Sequence, residues 1–215
     1  LTKAEWALSR AMNYPTFVTQ AAANLAVVKA SMQKWQEALT LAASISALVN
    51  EADPTMLDII GISATNLGQT ATAERALRKA VNLGPTQPVY KRDLGSLLVR
   101  TNRTAEGRAL LEEAYGSADL PPHMGEEIRT LLASLTVQQR KMADDLLAAG
   151  NRTPAVEILR EIYSGRVLPD GMKKDVEAKL KELGAMVAER APVPAEAPPV
   201  SPASPTFPLL DGAAQ

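Results

Sequence analysis

Apolar and polar positions along this chain recur with the period of a helix. Four times, a small residue is followed by further apolar residues four and seven positions on. The starts are Ala4, Ala38, Ala73 and Gly107. Their even step, about 34 residues, is that of a repeated helix pair. The fourth-place residues are Leu8, Ala42, Leu77 and Leu111; the seventh-place residues are Ala11, Ile45, Ala80 and Ala114. This spacing puts each triplet on one helix face, and its small members let a neighbouring helix approach closely. A second stripe lies in the gaps: Leu57, Ile60 and Ala64, continued by Leu94 and Leu98. Gly61 and Gly95 stand one such step apart, as do Pro54 and Pro88. Short breaks at 67–70 and 101–104 predict tight turns within helix pairs. Gly84-Pro85 predicts the end of a second helix, with Gly in a left-handed terminal position and Pro unable to continue. Trp6 and Trp35, near the starts of second helices, read as packing residues.

The phase is accompanied by near-identity of sequence. Ala4–Asn13 and Ala73–Asn82 share the pattern A-E-x-A-L-x-[KR]-A-x-N. With Pro54 as position 1, Leu57, Ile60, Gly61, Ala64, Ala73, Leu77, Ala80 and Pro85 fall where the tetratricopeptide repeat family has its small, apolar and terminal Pro positions. The unit from Pro88 matches at Leu94, Gly95, Leu98, Gly107, Leu111 and Ala114 but departs at Lys91, and Asp119 replaces the final Pro. A unit at roughly 19–53 carries Ala26 in place of Gly, with one extra residue. On these residues the chain resembles that family. The resemblance implies an all-α fold: a right-handed superhelical array of antiparallel helix pairs (an α-solenoid). It further implies that residues 1–16 are the end of a truncated upstream repeat, a solitary capping helix being the alternative, and that 17–118 hold the regular repeats.

The phase changes after Ala114. Leu111, Tyr115, Leu120, Pro121, Met124, Ile128, Leu132 and Leu135 recur, evenly displaced, as Leu159, Tyr163, Leu168, Pro169, Met172, Val176, Leu180 and Leu183. The register slips by one place at the two Asn-Arg-Thr turns. Residues 119–190 therefore read as a divergent three-helix extension. Thr136-Val-Gln-Gln139 has the form of a capping box, so a helix is expected to restart there; one long helix from Gly125 to Ala148 is the alternative. From 191 the chain is Pro/Ala-rich and carries no basic residue, which predicts an extended or disordered tail. Its one large apolar cluster, Phe207, Leu209 and Leu210, is a candidate docking segment.

Composition removes several kinds of chemistry. None of the 215 residues is Cys and only one is His, His123. A disulfide framework, a cysteine nucleophile and any site needing two histidines are excluded. The apolar share is 46% and the aromatic share 4%, so small residues do much of the packing. A net charge of −1 gives no general attraction to nucleic acid. No apolar run approaches the length of a membrane span, and no Gly-rich phosphate loop or nucleophile motif occurs. No enzyme activity, metal or cofactor is expected.

The resemblance places the binding groove on the first helix of each pair. Carried onto this chain, its candidates are Gln20, Val27, Asp58, Ile62, Asn66, Arg92, Ser96 and Arg100. Family members that grip a chaperone's terminal carboxylate use Lys and Asn at the places held here by Ala23 and Val27, Asp58 and Ile62, and Arg92 and Ser96, so that activity is not implied. Charge is uneven along the chain: residues 35–74 hold five acids and no base, and 75–103 hold seven bases and one acid. Arg92 and Arg100 in the groove would suit an acidic partner. The leading expectation is a non-catalytic scaffold for a peptide or partner domain. The alternatives are an accessory domain of a larger enzyme or secretion machine, and a self-assembling structural subunit. Nothing fixes a compartment; the Ala-rich, Cys-free composition leans towards a bacterial cytoplasm, periplasm or envelope.

Overall fold

The computed structural model describes residues 2–13, 18–48 and 53–185. Among them are ten α-helices and no strand: α1 (Thr2–Ala11), α2 (Val18–Ser31), α3 (Trp35–Leu48), α4 (Pro54–Asn66), α5 (Thr70–Leu83), α6 (Pro88–Arg100), α7 (Thr104–Tyr115), α8 (Pro122–Ala148), α9 (Arg152–Ser164) and α10 (Met172–Glu182). Each packs chiefly on its chain neighbours, and α4 also touches α2 and α6. The result is a tetratricopeptide-like helical-repeat fold in which α2/α3, α4/α5, α6/α7 and α8/α9 are the pairs.

Small residues set the spacing within pairs. At α6/α7 a Cβ on Gly95 would lie 2.9 Å from the Gly107 carbonyl oxygen, and one on Gly107 would lie 2.7 Å from the Gly95 oxygen. Here backbone meets backbone. At α4/α5, Gly61 instead receives the Leu77 side chain. At α2/α3, fully buried Ala26, Ala38 and Ala42 serve instead. The core is a chain of small clusters, each bridging one pair to the next: Ala42 and Ile45 with Met56 and Ile59, Leu77 with Leu94 and Leu98, and Leu111 and Ala114 with Met124, Ile128 and Leu132.

The first helix of each pair ends in one way. Gln33, Gly68, Asn102 and Gly150 have positive φ. The residue after each donates its N–H five places back: Lys34 to Lys29, Gln69 to Ala64, Arg103 to Leu98 and Asn151 to Leu146, at 2.8–2.9 Å. This is the Schellman geometry. The slip between the two Asn-Arg-Thr turns now has a cause: Asn102 takes the left-handed position in one, and Gly150 takes it ahead of Asn151 in the other. Helix α10 ends likewise, with Gly184 at φ +58 and Ala185 bonded to Leu180, so it has the terminus of a first helix.

Three expectations are corrected. No helix restarts at Thr136; α8 runs unbroken for 27 residues against 13 in α6. Its start at Pro122 keeps the phase of Pro54 and Pro88, and all of the added length falls at its end. That addition is close to a whole number of turns, about four, so the buried stripe Met124–Ile128–Leu132–Leu135–Gln139–Ala143 continues on one face. Gly84 is not left-handed (φ −129°). Gly is required there because a Cβ would lie 2.7 Å from the Tyr90 ring. Trp6 is 64% exposed rather than packed, because among the described residues α1 packs chiefly on α2; its ring instead carries the Arg10 guanidinium at 5.1 Å. Trp35 is half-buried, as a packing residue would be.

Candidate interaction groove

The first helices α2, α4 and α6 lie side by side, and α8 continues the row through Arg92, whose Nη1 donates to Glu127 Oε2 at 3.2 Å. Of the eight groove candidates, Gln20, Val27, Asn66 and Arg100 are exposed, and Ile62, Arg92 and Ser96 are half-buried. Asp58 is buried at 6% exposure. Gln20 hydrogen-bonds Asn24, and Asn66 Nδ2 donates to the Ile62 carbonyl at 2.9 Å. Val27, at 41% exposure, has no core role. Phe207, Leu209 and Leu210 lie outside the described residues.

The uneven charge of the sequence largely cancels in space. On the second helices, Arg78 meets Glu106 at 2.6 Å and Glu74 at 2.9 Å, and Arg103 also pairs with both acids. Those partners hold Glu74 and Glu106 below the usual carboxylate range. Lys91 meets Glu113 at 3.0 Å. Arg92 forks onto Asp93, its Nε at 2.8 Å from Oδ1 and its Nη2 at 3.1 Å from Oδ2. Of the seven bases, Arg75, Lys79 and Arg100 form no ion pair among the described residues.

Two residues beside the groove candidates escaped the sequence reading. Glu127 follows from extending the Pro54, Pro88 and Pro122 phase: one repeat on from Asp58 stands Arg92, and one repeat and a single place beyond that stands Glu127. Asp93 adjoins Arg92 and turns it inward. The row of first helices thus carries an acid–base–acid series, Asp58, Arg92 and Glu127, across α4, α6 and α8.

A second concavity, about 580 Å³, opens between the α6–α7 turn and α8/α9, lined by Val99, Asn102, Leu135, Gln138, Met142 and Glu161 among others. Behind it lies Arg108, 5% exposed. Its Nη2 donates to Thr136 Oγ1 at 2.8 Å and Gln139 Oε1 at 2.6 Å. Thr136 passes a bond to the Leu132 carbonyl, and Gln139 Nε2 donates to Glu161. The pair that resembled a capping box therefore stitches α7 to α8. Burial pushes the Arg108 guanidinium down from its usual value, against the attraction of Glu112.

Among the described residues no group of His, Asp and Glu could hold a metal ion, and no helix is long and apolar enough to cross a membrane. No family model and no curated protein matches the sequence. Among solved structures, the chain is similar to MamA at 12% identity, covering 81% of this chain and 89% of that one with a TM-score of 0.49. It is similar to YrrB, described as a TPR protein with an unusual peptide-binding site, at 17% identity over 83% and 85% with a TM-score of 0.49. A tetratricopeptide repeat protein from Parabacteroides merdae ATCC 43184 follows at 16%, over 84% and 78%, with a TM-score of 0.46. The helical-repeat class of this chain rests on its own phase, turns and seams.

Proposed function

We propose that this chain is a non-catalytic interaction scaffold that receives a peptide or partner domain along the row formed by α2, α4, α6 and α8. The observation that carries this reading is a row of exposed side chains outside the core: Val27, Asn66 and Arg100 on successive first helices. Extended surfaces of this kind suit stacked repeats, where each unit contacts only its neighbours. Arg100 is the cation available to an acidic partner, because Arg92 is already held by Asp93 and Glu127. Complementary charge there would chiefly speed and orient the encounter.

The absence of Cys makes the test clean. Photo-crosslinkers are attached at single Asn66→Cys, Arg100→Cys and Lys79→Cys variants and exposed to native lysate. The groove reading expects one common adduct at Asn66 and Arg100, and none at Lys79 on the second-helix side. Equal labelling at all three sites overturns it. Repeating the experiment with a chain ending at Arg190 separates the groove from the Phe207–Leu210 segment: loss of capture on truncation would make the tail the ligand-bearing element. Self-association between an acidic and a basic stretch is the weaker reading, since four of the seven bases already pair within the chain, with Glu74, Asp93, Glu106, Glu113 and Glu127.

A further inference from the structure

Midway along the groove wall, α4 and α6 bring two carboxyl groups together away from water. Asp58 is 6% exposed, and its buried Oδ1 has no hydrogen-bond donor. On the adjoining helix α6, the Asp93 carboxyl acts on the Asp58 side chain by its charge and by hydrogen bonding. Among the described residues Arg92 is the one cation at this seam, and each of its three nitrogens bonds a carboxylate other than Asp58. Nε and Nη2 grip Asp93, at 2.8 and 3.1 Å, and Nη1 reaches Glu127 on α8 at 3.2 Å. A buried carboxylate with no donor is costly. Two carboxyls in contact relieve that cost by holding one proton between them.

The other charged groups nearby leave this arrangement alone. Asp58 is the only ionisable residue of α4, and Asp53 is turned away, accepting the Thr55 N–H as the helix cap. Lys29 of α2 and Glu37 of α3 pair with each other. Glu74 and Arg78 of α5 belong to the second-helix ladder, and Arg75 and Lys79 do not act on Asp58.

We propose that Asp58 and Asp93 share one proton that latches α4 to α6, and that losing it loosens the hold of Arg92 on Glu127, so that pH sets the shape of the groove. Burial pushes Asp58 up to about 8, the charge of Asp93 adds to this, and Arg92 opposes it. Burial raises Asp93 as well, against the pull of Arg92. When the proton leaves, two carboxylates face one another and only Arg92 can answer. Turning it towards Asp58 weakens either its fork on Asp93 or its contact with α8. The disturbance therefore spreads along α4, α6 and α8, three successive walls of the groove. The effect on partner binding rests on the scaffold reading above; the latch itself does not.

The test follows aspartate side-chain carboxyl carbons and backbone amides by NMR in the full chain, from pH 4 to pH 10. The expected result is one aspartate titrating near pH 8, with amides of α4, α6 and the first half of α8 shifting along the same curve. Asp58→Asn should abolish that step in all three helices. Glu127→Gln should keep the step in α4 and α6 and lose it in α8. The latch is overturned if every aspartate of the unmodified chain has titrated by pH 6, or if the α6 response survives in Asp58→Asn. An α8 response that survives in Glu127→Gln overturns the coupling through Arg92. A chain that shows the step but captures no partner upholds the latch and removes the scaffold reading; capture without the step does the reverse.

Discussion

The two halves of the array satisfy the same turn geometry with different seam chemistry. From α2 to α7 the pairs close on glycine and alanine, and at Gly95/Gly107 nothing separates the two backbones. Between α7 and α8 the seam passes through a buried arginine, though α8/α9 closes again on Ala143 and Ala155, and the first helix lengthens from 13 residues in α6 to 27 in α8 without losing its phase at the start. A small-residue seam is selective by volume: it admits nothing larger. A polar seam is selective by direction, because Arg108 needs acceptors at fixed angles and finds them on Thr136 and Gln139. The first kind tolerates no added atoms. The second tolerates them but leaves polar atoms poorly partnered, as Nε and Nη1 of Arg108 are here.

That contrast can be broken at adjacent residues. Gly107→Leu places side-chain atoms where the Gly95 carbonyl sits 2.7 Å from the new Cβ. Overpacking against backbone should cost about 3 kcal/mol, read as a fall in the urea midpoint. Gly68→Leu, at φ +75 with nothing within 4 Å of its Cβ, should cost less, through backbone strain alone. If the two variants unfold together, close approach does not organise the regular half. Arg108→Met should cost about 2 kcal/mol or less. It leaves the Thr136 and Gln139 acceptors short of a donor but also removes a buried charge whose Nε and Nη1 lack a hydrogen-bond partner. Hydrogen exchange should quicken in residues 132–143 and stay unchanged in α2–α5, because each repeat leans only on its neighbours. Faster exchange throughout would mean that the halves are not separable.

The regular half was legible because volume leaves a periodic trace. Small residues one repeat apart mark the seams, and Gly68 and Asn102 mark two of the three turns, while Gln33 takes the third without such a signal. The second half was harder to read because its signal is polar. Thr136 and Gln139 have the spacing of a capping box, and on a continuous helix the same i, i+3 spacing places both on one face, where Arg108 takes them. Pro122 did carry the phase, yet its meaning emerges only beside the unbroken α8. The groove positions could be listed from the repeat, but whether a side chain is presented or buried depends on its neighbour. Asp93 draws Arg92 inwards, and Asp58 is covered at the α4/α6 seam; neither fact has a one-dimensional signature.

The same comparison has a pH dimension, since the buried carboxyl pair lies in the small-residue half. Folded Asp58 keeps its proton to about pH 8, whereas an unfolded aspartate releases it near 3.8. Between those values the folded state binds the extra proton, so stability is fullest below pH 3.8 and is lost as pH rises towards 8. The slope is at most about 1.4 kcal/mol per pH unit. The paired carboxylates Glu5, Glu74, Glu106, Glu126 and Glu177 are shifted down by their Lys and Arg partners. They contribute in the opposite sense, and only in acid. Urea midpoints should therefore decline from pH 6 to pH 8 in the unmodified chain and stay nearly level in Asp58→Asn. Parallel curves would mean that the seam holds no shared proton.

The smallest expected effect on stability separates two arginines that the repeat phase treats alike. Arg92 and Arg100 lie on the same helix, α6, and both were assigned to the groove. Arg92 is tied to Asp93 and Glu127; Arg100 is exposed and forms no ion pair among the described residues. Arg92→Glu puts a third carboxylate beside Asp58 and Asp93, so it should lower the urea midpoint and change partner capture together. Arg100→Glu breaks nothing in the fold and should leave the midpoint unchanged, as exposed substitutions away from such features do. Capture of an acidic partner should still weaken, chiefly through a slower association rate that added salt reproduces in the unmodified chain. If Arg100→Glu leaves both midpoint and capture unchanged, the available cation of α6 takes no part in recognition, and the groove must read its partner through Val27, Ile62 and Asn66 instead.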